Sequence, residues 1–401
     1  MVKKKKYLAI ITQFQEIDSM KTTMGFVLKK LSEEFENIYY INAETIGFFP
    51  PNFKHDISYI KKSLPDNFIL FEPKSTKEFS DFLNDKELLV VNCFGRYFPS
   101  IKIHYLLKKF KIKQVQLTNV GQKNSSSITT IKHPLKAITY HTKKLMPKIT
   151  LILANIGLVE KIDIRFLSNK TFLKNIKINK IKNFLYNKNL FFAKELIEVN
   201  SVASDILKQE KKEITEDYIV HLDASLNYYH QTDLRGNVPE KVFQQHYLYL
   251  DKFLKNLSNV FNKEIIVCIH PRYNLEEHQK YLPNFKVIKF KTREYVYKAF
   301  LVTTLSSSAV IDAVLLKKKI IGITSDFMTK NENLHSKVYS DLVGYMSLNT
   351  KEIDINKQTM LKKLNDNIKK YDYYINNFLH FDDNKLGIEK IISIIKERYF
   401  Q

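Results

Sequence analysis

The stretch Glu264–Ile323, EIIVCIHPRYNLEEHQKYLPNFKVIKFKTREYVYKAFLVTTLSSSAVIDAVLLKKKIIGI, decides the fold. An apolar run, Ile265 to Ile269, delivers His270-Pro271-Arg272 at its end. A second, Lys286 to Phe290, leads into a short helical stretch around Thr292 to Lys298. A third, Phe300 to Thr304, runs into Ser306-Ser307-Ser308, and a helical pattern follows from Ala309 to Leu316. Strands alternating with helices at this spacing are expected to form parallel βαβ units. In such sheets ligands sit beyond the carboxyl ends of the strands, where His270 and the serines fall.

The chemistry of that edge suits an anion. A helix N-terminus presents unpaired N–H groups and the positive end of a dipole. Serine hydroxyls add donors. A histidine, with an ordinary pKa of about 6.5, can donate to a phosphate or protonate it. Each piece also has a plainer reading. A serine run before a helix serves as an N-cap, and a His-Pro at a strand end can be structural. The pair, one βαβ unit apart on one edge, points to a phosphate site.

The same alternation extends outward. Strands are expected at Tyr7–Ile11, Ile38–Asn42, Phe68–Glu72, Leu88–Cys93, Gln114–Leu117 and Glu195–Asn200, with helices over Thr22–Phe35, Thr76–Leu83 and Ile101–Phe110. Phe94-Gly95-Arg96 and Asn119 to Gln122 fall at strand ends, although Gly95 and Gly121 equally suit simple turns. His133 belongs to a polar loop, Lys123–Met146, and reads as a surface residue. Ser204–Lys211 reads as the crossover, Tyr218–Leu222 as the first strand of a second domain, and Val242–Phe261 as a helix. Asp326–Tyr345 reads as a loop able to act as a lid, and Lys351–Phe378 and Leu386–Tyr399 as amphipathic helices. The expected fold is α/β: two Rossmann-like domains facing a cleft, residues 1–200 and 201–375, with a helix in 376–401 crossing back to the first.

Composition bounds the function. A chain of 401 residues fits two domains. With 44% hydrophobic and 13% aromatic residues it is globular rather than disordered. No apolar run approaches the ~18 residues of a membrane span, and MVKKKKYLAIIT is too polar for a signal peptide. Cys93 and Cys268 sit in separate strand-like runs, which suggests a reducing cytoplasm. The formal charge of +22 is almost all lysine, 58 against six arginines, and reflects either codon bias or attraction to an anionic membrane or phosphorylated acceptor. Lys161–Lys194 carries eight lysines and one arginine against Asp163, interleaved with Ile, Leu and Phe. It reads as a membrane-docking segment or as a solvated face. Because arginine is scarce, Arg96, Arg235, Arg272 and Arg293 stand out as bidentate anion binders. No zinc spacing or RNA-binding motif supports a nucleic-acid partner.

CIHPRY followed by LVTTLSSSAVIDAVLLKKKIIGI resembles the HP and SS motifs of bacterial GT-B glycosyltransferases that use CMP-activated sugars. VHLDASLNYYHQTD, a helix, and then IIVCIHPRYN looks most like the retaining β-Kdo transferases of lipopolysaccharide and capsule assembly; the sialyltransferases are the wider group. The resemblance covers roughly Ser201 to Thr324. It implies an acceptor-binding first domain and a CMP-sugar-binding second domain. His270 would contact the CMP phosphate, with Pro271 and Arg272 beside it, and Ser306, Ser307 and Ser308 would hold phosphate or sugar carboxylate. Asp223 would be the nucleophile of a double displacement. Ala224-Ser225 and Gln231-Thr232-Asp233 depart from the commoner pattern. Glu160 and Asp163 are the acceptor-side acids nearest to suggestion. With no Asp-x-Asp and no His/Asp/Glu cluster in the sequence, neither metal nor other cofactor is expected. The partners expected are a CMP-activated sugar acid, a glycan acceptor and an anionic membrane surface, on the cytoplasmic side. The alternatives are an inverting sialyl- or nonulosonic-acid transferase in which Asp223 is structural, and a non-catalytic basic scaffold or nucleic-acid-binding protein.

Overall fold

The computed structural model describes residues 6–12, 23–43, 45–47, 64–93, 101–117, 162–168, 193–210, 215–223, 240–270, 274–305, 307–328, 330–352, 354–379 and 384–401. The chain divides into two compact units. One holds the described residues of Met1–Gly121, Ile131–Asp205 and Asn377–Gln401; the other holds those of Ile206–Asn376.

The first unit contains β1 (Lys6–Thr12), α1 (Thr23–Ser32), β2 (Ile38–Asn42), β3 (Phe68–Phe71), α2 (Thr76–Asp85), β4 (Glu87–Asn92), α3 (Ile101–Lys109), β5 (Lys113–Leu117), β6 (Ile162–Leu167), β7 (Ala193–Glu198) and the start of α4 (Val202–Gln209), which passes into the second unit after Asp205. Its seven strands are parallel in the order β3-β2-β1-β4-β5-β6-β7. Central strands must be apolar on both faces when helices cover both. Accordingly Leu8 to Ile11 and Leu88 to Val91 are buried throughout. The edge strand β7 instead carries Lys194, Glu195 and Glu198, charges that blunt an open edge.

The second unit contains β8 (Tyr218–Leu222), α5 (Glu240–Phe261), β9 (Ile265–Cys268), α6 (Leu275–Tyr281), β10 (Lys286–Ile288), α7 (Thr292–Tyr297), β11 (Ala299–Thr304), α8 (Val310–Leu315), β12 (Lys319–Thr324), α9 (Lys330–Val343), β13 (Met346–Asn349), α10 (Lys357–Ile368) and α11 (Tyr371–Tyr374). Six parallel strands run β10-β9-β8-β11-β12-β13. The long helix α5 buries Phe243, Tyr247, Leu250, Leu254, Leu257 and Phe261, spaced three or four apart, against Ile219, Ile265 and Val267 of the sheet. The chain is therefore α/β with two Rossmann-like sheets.

Two expectations need correcting. Asp326–Tyr345 is not a loop: it holds the 14-residue helix α9. Among its described side chains those buried are Ser336, Tyr339, Ser340 and Val343, two of them serines, so little apolar periodicity reaches the sequence. Lys351–Phe378 is not one helix. Asn356 caps α10 by accepting from Thr359 N at 2.9 Å, α10 ends at Ile368, and α11 and a π-helical turn, Ile375–Leu379, follow separately.

The last helix, α12 (Gly387–Tyr399), belongs to the first unit and is preceded by Leu386, which supplies no side-chain cap. The cap comes from Asp205 of α4, wholly buried, whose Oδ1 and Oδ2 accept from Gly387 N and Ile388 N at 2.8 Å each. Asn200 Nδ2 donates to Lys385 O at 2.7 Å beside it. Gly387 is required because a Cβ there would press into the Asn200 backbone. Asp205→Ala removes both acceptors from buried helix N–H groups and is expected to cost about 2–4 kcal/mol. Urea denaturation checks this; a midpoint unchanged from wild type would mean water replaces the carboxylate.

Candidate functional site

In the second sheet the chain steps from β8 through β9 to β10 on one side, then returns to build β11, β12 and β13 on the other. The order reverses between β8 and β11. Adjacent loops diverge at such a point and leave a crevice at the carboxyl edge, where ligands bind. Asp223 directly follows β8, His270 follows β9 by two residues, and Ser307 follows β11 by three. Three neighbouring strands thus bring these residues to one edge. Asp223 N donates to Cys268 O at 3.0 Å, and Ile269 N to Ile288 O at 3.0 Å, so both strand ends are hydrogen-bonded up to the point of departure.

Asp223 is 1% exposed. Tyr247 OH of α5 donates to its Oδ2 at 2.8 Å, and His278 Nε2 of α6 lies 2.7 Å from the same oxygen. His221 Nε2, two residues back on β8, lies 3.8 Å from Oδ1. His221 Nδ1 meets Thr303 Oγ1 of β11 at 2.8 Å. Burial by itself would raise the carboxyl pKa, but the imidazoles of His221 and His278 beside it outweigh that and hold Asp223 well below the ordinary carboxylate range. The carboxylate is ionised, enclosed and already in contact with two helices.

Ser307 forms a tight turn. Its N–H donates to Thr304 Oγ1 at 3.2 Å, and its Oγ accepts from Ala309 N at 3.3 Å, which leaves the hydroxyl proton for another acceptor. Ser308 is exposed and His270 half-buried. Pro271, Arg272 and Ser306 lie outside the described residues, as do Phe94-Gly95-Arg96, Asn119 to Gln122, His133, Glu160, Arg235 and most of Lys161–Lys194.

Two residues singled out from sequence are committed elsewhere. Arg293 is not an open anion binder: its Nε and Nη2 reach Asp312 Oδ2 and Oδ1 at 3.2 and 3.4 Å. Asp163 accepts from Gln114 N and Lys194 Nζ at 2.9 Å each, near the amino end of β6 and so away from the carboxyl edge. Its carboxylate ties strands together. Among the described residues no group of three His, Cys, Asp or Glu is arranged to hold a metal ion.

Sequence reasoning missed Tyr247, His246 and His278 as members of this cluster. The only signal was a histidine on the buried face of a helix, which is ordinarily a core residue. The carboxylate that gathers them is remote in sequence.

His246 gives the cluster a pH dependence. Its Nδ1 meets Ser325 Oγ at 3.1 Å. Burial pushes its pKa from 6.5 down to about 4, against Asp223, which raises it. The unfolded chain therefore binds this proton near pH 6.5 and the folded chain only near 4. The stability from the neutral ring is complete above about pH 6.5 and is lost as pH falls toward 4, by up to about 3 kcal/mol. Urea unfolding between pH 7.5 and 4 is expected to show that loss, and His246→Gln to show less of it. Identical pH profiles would remove His246 as its source.

No family model and no curated protein matches the chain. Solved structures do. The wall teichoic acid polymerase TagF, as its H444N variant with CDPG, is 14% identical over 97% of this chain and 88% of its own, with a TM-score of 0.55. A putative UDP-N-acetylglucosamine 2-epimerase from Listeria monocytogenes is 14% identical over 100% and 98%, TM-score 0.52. The UDP-GlcNAc 2-epimerase of Methanocaldococcus jannaschii is 16% identical over 98% and 99%, TM-score 0.51. These likenesses extend over nearly the whole of each chain, and what they establish is the fold: two Rossmann-like domains of the GT-B type.

Proposed function

We propose that this protein is a glycosyltransferase that takes a sugar acid, Kdo or a related 2-keto acid, from a CMP-activated donor and passes it to a bacterial surface glycan. The observation that carries the reading is the convergence of Asp223, His270 and Ser307 at the switch point of the second sheet. A histidine and a hydroxyl donor on that edge suit a departing nucleotide phosphate. Among proteins of similar fold, one TagF structure carries CDPG and the S. aureus MnaA structure carries UDP. The CMP and Kdo assignments rest on the resemblance of HLDASL, CIHPRY and LSSSAV to the enzymes named above. Transfer without a metal belongs to the same proposal, with donor groups of the protein in the cation's place, as does work at the cytoplasmic face of a membrane. Among the described residues no helix is long and apolar enough to cross one.

Two stereochemical versions differ in Asp223. Retention requires it to attack the anomeric carbon from about 3 Å. Inversion leaves it structural. Its 1% exposure and the Tyr247 and His278 contacts on Oδ2 favour the inverting version. The test is a donor screen with CMP-Kdo and CMP-sialic acid against generic acceptors, in chelator, with the product anomer read by NMR. Transfer with inversion, and no sugar-mass adduct on the Asp223 peptide, is expected. A retained anomer with that adduct would restore Asp223 as nucleophile. Absence of transfer together with salt-sensitive binding to DNA or RNA would replace the enzyme reading by the basic-scaffold one.

A further inference from the structure

Resting on that reading of the carboxyl edge, we propose that Asp223, Tyr247 and His278 form a brace that sets the position of His270, and that all three are positioning residues. One oxygen, Asp223 Oδ2, holds Tyr247 OH of α5 at 2.8 Å and has His278 Nε2 of α6 at 2.7 Å. The backbone N–H of Asp223 holds β9 at Cys268 O. A single residue at the end of β8 therefore fixes both elements that flank His270: β9 before it and α6 after it.

The tether is short. Only Pro271, Arg272 and Tyr273 separate His270 from Asn274, which caps α6 by accepting from Glu277 N at 3.1 Å. His278 lies in the last turn of that seven-residue helix, 2% exposed. Three residues can span only about 14 Å from His270 to Asn274, so anchoring α6 bounds where its start lies relative to His270. The packing repeats the constraint: Tyr247 meets His278 edge-on, with ring centroids 5.1 Å apart, and stacks on Tyr281 at 5.3 Å. Phe243 closes the group against both tyrosines at 4.8 and 4.9 Å. An apolar core needs no ionised carboxylate at this place, and burying one is costly unless every lone pair finds a partner. What the carboxylate adds over an apolar contact is direction, because hydrogen bonds fix angle and register where apolar packing tolerates sliding.

The test compares full-length wild type, Asp223→Asn, Tyr247→Phe, His278→Ala and His278→Gln by hydrogen–deuterium exchange and by CMP binding in a calorimeter. Tyr247→Phe removes one oxygen and guards against variants that do not fold. In Asp223→Asn, Tyr247→Phe and His278→Ala, exchange over 268–282 is expected to accelerate while β1 and β4 exchange as in wild type. CMP affinity is expected to fall about tenfold, the usual scale for losing a group that orients a ligand-binding side chain. A Gln at 278 can place an amide donor near Asp223 Oδ2, so His278→Gln should restore both readouts toward wild type. Unchanged exchange over 268–282, or a lower melting temperature with CMP affinity intact, overturns the brace, as does His278→Gln behaving like His278→Ala. If wild type itself binds no CMP, the donor reading fails, and the exchange result still decides whether the brace exists.

Discussion

Replacing Arg293 by Ala is expected to destabilise the protein by about 3–5 kcal/mol, because it leaves the Asp312 carboxylate buried without its partner. The Arg293 fork lies 3.2 and 3.4 Å from the two Asp312 oxygens, and both side chains are largely buried between α7 and α8. Burial already raises the Asp312 pKa, with Arg293 opposing. Removing the guanidinium raises it further. A carboxyl whose folded pKa is raised contributes its stability below the unfolded pKa and loses it as pH rises through the folded one. The deficit of Arg293→Ala should therefore be larger at pH 8 than at pH 5. Asp312→Asn in the same background removes the unpaired charge and should recover much of the loss. Chemical denaturation at the two pH values is the measurement. A deficit that grows on acidification, or no recovery in the double variant, would show that the pair is not what holds α7 to α8.

His270→Ala is expected to lower transfer by about 10²–10³ with the fold intact, the typical cost of losing one preorganised electrostatic contact. His270 leaves β9 on the edge shared with Ser307, where a departing nucleotide phosphate would need a donor or a proton. The loss should fall mainly on kcat, since charge develops on the leaving oxygen in the transition state. Circular dichroism and melting temperature should match wild type, which separates this variant from Asp205→Ala and Arg293→Ala, whose effects are on folding. Turnover within a few-fold of wild type would take His270 out of the mechanism and leave the edge with Ser307 alone.

The two kinds of prediction differ in how much of their basis the sequence held. Apolar runs such as IIVCI and FLVTT, alternating with helical spacing, were sufficient to reveal parallel strands, because a strand covered by helices on both faces must be apolar at every position. The same runs located His270, Ser307 and Asp223 at strand ends, and parallel strands put all such ends on one edge. Helix α9 was hidden because two of the four described side chains it buries, Ser336 and Ser340, are serines. The split in Lys351–Phe378 was hidden because an Asn cap and a π-helical turn leave the periodicity nearly intact.

By itself, then, the sequence determined the α/β class, the two-sheet plan and the sheet edge that Asp223, His270 and Ser307 share, since these follow from local periodicity and chain direction. Only the tertiary structure decided which side chains meet there. Strand order placed β8 between β9 and β11. Packing of α5 and α6 then closed Tyr247 and His278 onto Asp223, and packing of α7 on α8 brought Arg293 to Asp312. Such pairings join residues tens of positions apart, and no local pattern encodes them. They arise because a buried charge must find a partner wherever the fold brings one near.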